Sequence, residues 1–267
     1  MRLHTIIAQF PVAMTVDENL TQVLAIVRQC SPGSLVVLPE GALSGYSDDL
    51  SFLDHLDLGE LAQSLQVLQE AVVQQGIHLF VGSCLRPDGQ WRNAALYFSP
   101  QGHRLPYYKV NLATHERGRF AAGSALCIMR LNLGGAILRV GIQLCREILF
   151  PNQWHILAEA GADVIVFMMH GIADPIRRAV WKSHLISRAA EIQRYVLAVN
   201  TAHPAQLCPT MLVDPQGSVV QEEASEQTVL LCNTIDTAKN SNWYLSQQRR
   251  DLTAVEYPEP SSGHSAG

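Results

Sequence analysis

Two rhythms of hydrophobic and polar residues run along the chain. Short apolar bursts bounded by turn residues predict strands at 3–9, 34–38, 78–84, 94–98, 104–109, 126–131, 136–143, 164–168, 196–200, 210–213, 218–222 and 228–233. Longer segments with apolar residues at helical spacing predict helices at 17–28, 58–75, 152–160 and 176–194. Glu191 and Arg194 extend the last of these past its apolar face. Pro100-Gln101-Gly102 and Pro215-Gln216-Gly217 read as hairpin turns. Strands alternating with helices, without an internal repeat, predict an α/β fold. The 267 residues suffice for one large domain with a sizeable core, placed at 1–257. The Pro-, Ser- and Gly-containing segment 258–267 reads as a disordered tail.

One apolar run ends in chemistry. Val140-Gly141-Ile142-Gln143-Leu144 climbs to Cys145, and Arg146-Glu147 follows before an apolar stretch and the helix-opening Pro151. That pattern puts Cys145 on a sharp strand-to-helix turn, where the sulfur is exposed and the next backbone N–H groups point at whatever it attacks. Taken alone, the same cysteine also fits an inert packing residue. Two other strand ends deliver ionisable residues. Leu35-Val36-Val37-Leu38-Pro39-Glu40 runs into the glycine-rich loop Gly41-Ala42-Leu43-Ser44-Gly45-Tyr46, and Leu105-Pro106-Tyr107-Tyr108 ends at Lys109. Strand ends are where α/β sheets build their sites. In isolation, Glu40 also reads as a helix cap or an acceptor of loop N–H groups, and Lys109 as a solvated strand end.

Pro-Glu before a Gly-Tyr loop, Tyr-x-Lys-x-x-Leu, and Gly-x-x-x-Cys-x-Glu-x-x-Phe-Pro occur here in that order. Together they resemble the nitrilase, or carbon–nitrogen hydrolase, superfamily. Framework segments extend the resemblance over most of the chain: His4-Thr5-Ile6-Ile7-Ala8-Gln9-Phe10, Asp17-Glu18-Asn19-Leu20, Phe120-Ala121-Ala122-Gly123, Arg188-Ala189-Ala190-Glu191, Val199-Asn200 and Asp214-Pro215-Gln216-Gly217. The resemblance implies a four-layer αββα sandwich, two sheets face to face with helices outside, and at least a homodimer paired through a helical face. It also implies a second glutamate, Glu116, that supports the lysine; the alternative is a surface residue paired with Arg117 or Arg119. Asn152 stands where the family usually has glutamate, and Cys208-Pro209-Thr210 where Gly-x-Ser is common, Thr being able to replace the hydroxyl.

Amide hydrolysis needs a nucleophile, a proton carrier and stabilisation of a tetrahedral oxyanion. Cys145 supplies the nucleophile and forms a thioester. Its ordinary pKa near 8.5 leaves mostly thiol at neutral pH, so it needs a base or a nearby cation. Glu40 is the candidate base, Lys109 the electrostatic clamp, and the backbone N–H of Arg146 a second oxyanion donor. Tyr46, Met169 and His170 are expected to line the substrate pocket. His170 beside the cysteine also raises a Cys–His mechanism, which would leave the glutamate and lysine motifs unexplained. Glu147 reads as a structural ion-pair partner. Cys145 is expected to alkylate faster than the strand thiols, being more exposed and more easily ionised.

Composition narrows the class. A hydrophobic share of 48% against 16% charged residues fits a globular enzyme. The net charge of -5, without a basic run, gives no reason to expect nucleic-acid binding. No apolar stretch is long enough to span a membrane, and the start lacks the pattern of a secretory signal. The 6 cysteines form no C-x-x-C pair and the 10 histidines no metal-binding spacing, so neither metal nor organic cofactor is expected. A reducing cytoplasm suits these thiols. The expected activity is hydrolysis of a small carboxamide or N-carbamoyl compound with release of ammonia. Nitrile hydrolysis and acyl transfer on the same site are alternatives. Nitrile hydrolysis is disfavoured because true nitrilases of the superfamily typically have Cys-Trp-Glu where this chain has Cys145-Arg146-Glu147. A catalytically silent small-molecule or partner-binding module is the rival from another class.

Overall fold

The computed structural model describes residues 1–249 and 251. The segment 258–267, expected to be disordered, lies outside the described residues. In chain order the elements are β1 (Arg2–Gln9), α1 (Val16–Val27), β2 (Leu35–Val37), α2 (Leu58–Gln75), β3 (His78–Leu85), β4 (Arg92–Phe98) and β5 (Arg104–Tyr108). There follow β6 (Ile128–Leu133), β7 (Ala136–Leu144), α3 (Pro151–Glu159), β8 (Val164–Met168), α4 (Arg178–Ile192), β9 (Tyr195–Val199), β10 (Thr210–Val213), β11 (Val219–Glu223) and β12 (Val229–Asp236). They form two six-stranded sheets of order β12-β1-β2-β3-β4-β5 and β11-β10-β9-β8-β7-β6. Parallel pairing is confined to the middle of each sheet, β1–β2–β3 and β7–β8–β9, and the flanking pairs are antiparallel.

The parallel strands are buried on both faces, which is why they read as unbroken apolar runs. Alternate residues serve different layers. Leu3 and Ile7 of β1 join Leu138, Val140, Ile142 and Leu144 of β7 in the core between the sheets. Ile6 and Ala8 turn the other way, onto Val23 and Ile26 of α1 and Leu61 and Leu65 of α2. Ile165 and Phe167 of β8 pack on Trp154 and Leu157 of α3 and Leu185 of α4. The layers are therefore helix, sheet, sheet, helix, the expected αββα sandwich.

Local chemistry sets the boundaries. Asp57 caps α2 by accepting N–H bonds from Gly59 and Glu60 at 2.7 and 3.1 Å, and Gly76 ends it in the left-handed conformation. Among the boundaries that differ from expectation, two have a clear local cause. β6 starts and ends two residues later than predicted, because the tight Gly134-Gly135 turn pairs Leu133 with Ala136 and fixes the hairpin register. α4 does not reach Arg194: Gln193 turns left-handed with φ 52°. Arg194 is instead a buried clasp, donating to the carbonyls of Ala162 (2.7 Å), Ile192 (3.2 Å) and Gln193 (3.0 Å).

Candidate active site

Several strand ends converge on one buried cluster. β2 runs out through Pro39 into Glu40, which passes close against β3. A Cβ at Gly82 would collide with the Pro39 carbonyl and the Glu40 Cα, so only glycine lets the chain lie there. Gly82 N–H donates to the Pro39 carbonyl at 3.0 Å, and Leu43 N–H to the Gly82 carbonyl at 3.0 Å, clamping the loop to the strand. Lys109 directly follows β5, Asn93 lies near the start of β4, and Glu116 closes a short 3-10 turn at Thr114–Glu116. Lys109 N–H donates to the Asn93 carbonyl at 2.9 Å, so the two residues sit side by side.

The Lys109 ammonium lies 2.9 Å from Glu40 Oε1 and 3.0 Å from Glu116 Oε1, with all three side chains fully enclosed. Asn93 Nδ2 donates to the same two oxygens, at 2.7 and 2.6 Å. The Tyr46 hydroxyl donates to Glu116 Oε1 at 2.7 Å and Ala113 N–H to Glu116 Oε2 at 2.6 Å. Glu40 Oε2 accepts the backbone N–H of His170 at 2.9 Å. Burial works against the Lys109 charge, but Glu40, Cys145 and Glu116 outweigh it and hold the ammonium above its ordinary pKa. Burial would likewise raise Glu116; Lys109 and the bonds from Asn93, Tyr46 and Ala113 overcome it and hold the carboxyl below its usual range. Tyr46 is pushed well above its ordinary value by burial and by the two carboxylates.

Cys145 opens a 3-10 turn, Cys145–Leu149, between β7 and α3, with φ 41°, a conformation costly for a residue with a Cβ. Pro151 then starts α3, and Arg188 of α4 donates through Nε to the Ile148 carbonyl at 3.2 Å, bracing the turn. Burial raises the Cys145 thiol well above its ordinary pKa and Glu40 adds to the rise, while Lys109 and Arg146 oppose it. The expectation of an exposed, easily ionised thiol therefore needs correction. Cys145 is only half-buried, as is Cys127, but Cys232 on the edge strand β12 is the exposed one. Burial and Glu40 together favour the thiol form of Cys145 over the thiolate.

Glu147 corrects the ion-pair expectation. Among the described residues it has no cationic partner. Its Oε1 accepts N–H bonds from Val110 (2.7 Å) and Asn111 (3.1 Å), its Oε2 accepts Leu144 N–H (2.7 Å), and the Tyr107 hydroxyl donates to both oxygens. It thus ties the segment after Lys109 to the residue before Cys145. Burial still raises its carboxyl above the ordinary value despite these bonds.

The remaining candidates fall around this centre. Arg146 is half-buried, and its Nε is enclosed with no partner among the described residues. His170 follows β8 with its ring 5.5 Å from that of Tyr46, and burial lowers its pKa. No hydrogen bond joins the ring to Cys145 among the described residues. Met169 is 1% exposed and packs in the apolar layer with Trp154, Phe167 and Leu185. Asn93 escaped the sequence reading, where a lone Asn at the head of an otherwise apolar strand was the available signal, and Tyr107 stood there only as the first residue of the Tyr-x-Lys-x-x-Leu motif, with no role assigned. Among the described residues no group of three or more His, Cys, Asp or Glu is arranged to hold a metal ion.

The profile of the family described as Carbon-nitrogen hydrolase matches residues 5–244. An (R)-stereoselective amidase of Pseudomonas sp is 27% identical over 257 residues, spanning 91% of this chain and 89% of the relative. Omega-amidase NIT2 of Mus musculus is 25% identical, spanning 94% and 97%. The crystal structure of a carbon-nitrogen hydrolase from Helicobacter pylori G27 superposes with a TM-score of 0.81 at 17% identity, covering 94% of this chain and 96% of that one.

Proposed function

Because the chain belongs to the carbon–nitrogen hydrolase family, we propose that it hydrolyses a small carboxamide or N-carbamoyl compound through a thioester on Cys145, releasing ammonia. The observation that carries this is the Lys109 ammonium held between Glu40 and Glu116, with the Cys145 thiol in the electrostatic field of all three. Glu40 takes the thiol proton as Sγ attacks the carbonyl carbon. A thiol pushed upward by burial gains most from a base that acts during the attack itself, because little thiolate forms unaided. The π electrons move onto oxygen, and the oxyanion is stabilised by the Lys109 ammonium and the Arg146 backbone N–H. Collapse breaks the C–N bond, and Glu40 returns the proton to the leaving nitrogen. Water then attacks the thioester, its proton passing to Glu40, and the carboxylic acid leaves as the thiol reforms. An N-carbamoyl substrate gives amine, CO2 and ammonia.

Tyr46, His170, Met169 and the Arg146 side chain are assigned to substrate contact or to shaping the pocket. Helix α3 and its approach expose Leu149, Phe150 and Ile156, and α4 and its approach expose Ile176 and Val180. We assign this apolar face to homodimer pairing; light scattering should give about twice the chain's 29.4 kDa, and a single-chain mass would refute it. No described helix is long and apolar enough to cross a membrane, and a thiol-dependent enzyme suits the reducing cytoplasm.

Matched amide and nitrile pairs, assayed for ammonia with Cys145→Ala as blank, test the reaction class. An amide yields the oxyanion this site is proposed to stabilise, whereas a nitrile first yields a thioimidate with charge on nitrogen. The amide should have the higher kcat/KM. A consistent nitrile preference would remove the amidase assignment.

A further inference from the structure

We propose that Asn93 is a positioning residue: its amide holds Glu40 and Glu116 apart as two separate carboxylates, so that Glu40 remains free to take the Cys145 proton. This rests on the assignment of Glu40 as the base. The geometry fixes the orientation of the amide. Nδ2 lies 2.7 Å from Glu40 Oε1 and 2.6 Å from Glu116 Oε1, and an amide turned the other way would set its oxygen against two acceptors. The Lys109 ammonium donates to the same two oxygens at 2.9 and 3.0 Å. Each oxygen thus accepts one bond from the cation and one from the neutral amide.

Two carboxylates this close to shared donors are under pressure to share a proton instead. One ammonium cannot neutralise both. The amide adds no charge of its own, but its two N–H groups stabilise the ionised form of each carboxylate. Consistently, the bond from Asn93 is among the influences that hold the Glu116 carboxyl down. Asn93 is anchored to serve this purpose. It pairs with Cys84 of β3 in the sheet, and its carbonyl receives Lys109 N–H at 2.9 Å, so the backbone that aligns the lysine also aligns the amide. Its Oδ1 is enclosed with no partner among the described residues.

The other groups facing the pair are the Tyr46 hydroxyl and Ala113 N–H on Glu116, the His170 N–H and imidazole on Glu40, and the buried Cys84 thiol in the field of both. The Cys145 thiol lies in the field of both carboxylates and of Arg146. His115, itself 3.4 Å from Asp48, reaches the cluster only through Tyr46. None of these bridges the two glutamates, a task that falls to Asn93 and Lys109.

The test is the pH dependence of Cys145 alkylation by iodoacetamide, followed by peptide mapping, in wild type and in Asn93→Ala, Asn93→Asp and Asn93→Ser. It needs no knowledge of the substrate and separates Cys145 from the exposed Cys232. Losing these donors removes bonds that favour the ionised form, so the acid limb of the rate should move to higher pH by ~1 unit in Asn93→Ala. Asn93→Asp, which adds a third carboxylate, should move it further. Asn93→Ser keeps one O–H donor and should fall between wild type and Asn93→Ala, and it decides the matter if the other two fail to fold by circular dichroism. A rate lowered by the same factor at every pH, or an unmoved limb, would overturn the proposal. Ammonia release that survives in Cys145→Ala would instead overturn the proposed function, whatever the limb does.

Discussion

Three glutamates are buried within a few residues of the same strand ends, yet by two different means. Glu40 and Glu116 share the Lys109 ammonium and the Asn93 amide, groups whose protons and charges bear directly on one another. Glu147 has only donors that stay put: three backbone N–H groups and the Tyr107 hydroxyl. The first arrangement makes protonation states interdependent, as proton transfer requires. The second fixes the distance between the lysine segment and the cysteine turn. The proposed chemistry and the scaffold thus use the same residue type, distinguished by what donates to it.

The largest expected effect comes from removing the shared cation. Lys109→Ala leaves two enclosed carboxylates without their cation and deletes the proposed oxyanion donor. Turnover should fall on the order of hundredfold to thousandfold, and stability by about 3–5 kcal/mol. Glu40→Gln should come close to that loss of turnover without the same loss of stability, and Glu116→Gln should cost less turnover than Glu40→Gln. Steady-state ammonia assays with denaturant melts check all three. Equal activity in wild type and Glu40→Gln would remove the proposed base.

Glu147→Ala strikes the other arrangement. It orphans the N–H groups of Val110, Asn111 and Leu144 and the Tyr107 hydroxyl, and should cost about 3 kcal/mol or more of stability. Activity should fall because Lys109 and Cys145 lose register, while the acid limb of Cys145 alkylation stays in place. A shifted limb with unchanged stability would mean that Glu147 belongs with the proton-transfer group instead.

The smallest effect is one of sign. Glu116 is held below its ordinary pKa, so its stabilisation is complete above the unfolded value of about 4.3 and fades as pH falls through the lower folded value. Glu147 is held above its ordinary value, so its contribution is complete below about 4.3 and fades as pH rises through the folded value. The stability lost in Glu116→Gln should therefore shrink on acidification, and that lost in Glu147→Gln should grow. Melts across acidic pH would expose a shared sign, which would erase the distinction.

The sequence made the order of strands and helices, and the strand ends that carry Glu40, Lys109 and Cys145, legible because both are written in local runs, whereas the two facing sheets followed only from the family resemblance. Strand ends follow from apolar bursts, and each ionisable residue stands at one. What stayed hidden depends on partners far along the chain. Nothing near Asn93 announces that it faces Glu40, and nothing in Cys145-Arg146-Glu147 says that Glu147 collects N–H groups from residues 110 and 111. The end of α4 at Gln193 likewise follows from Arg194 clasping carbonyls across the fold, which helical periodicity does not encode. The thiol's environment was misjudged for a related reason, since a strand end reads as open until the neighbouring loops are placed over it.

The central claim is that Cys145 carries the acyl group. Its most direct measurement is intact-mass spectrometry of acid-quenched protein during turnover of a small amide, with peptide mapping and Cys145→Ala in parallel. The account predicts an acyl adduct on Cys145 alone, discharged by hydroxylamine, with ammonia release abolished in Cys145→Ala. No adduct on Cys145, together with undiminished ammonia release from Cys145→Ala, would contradict it.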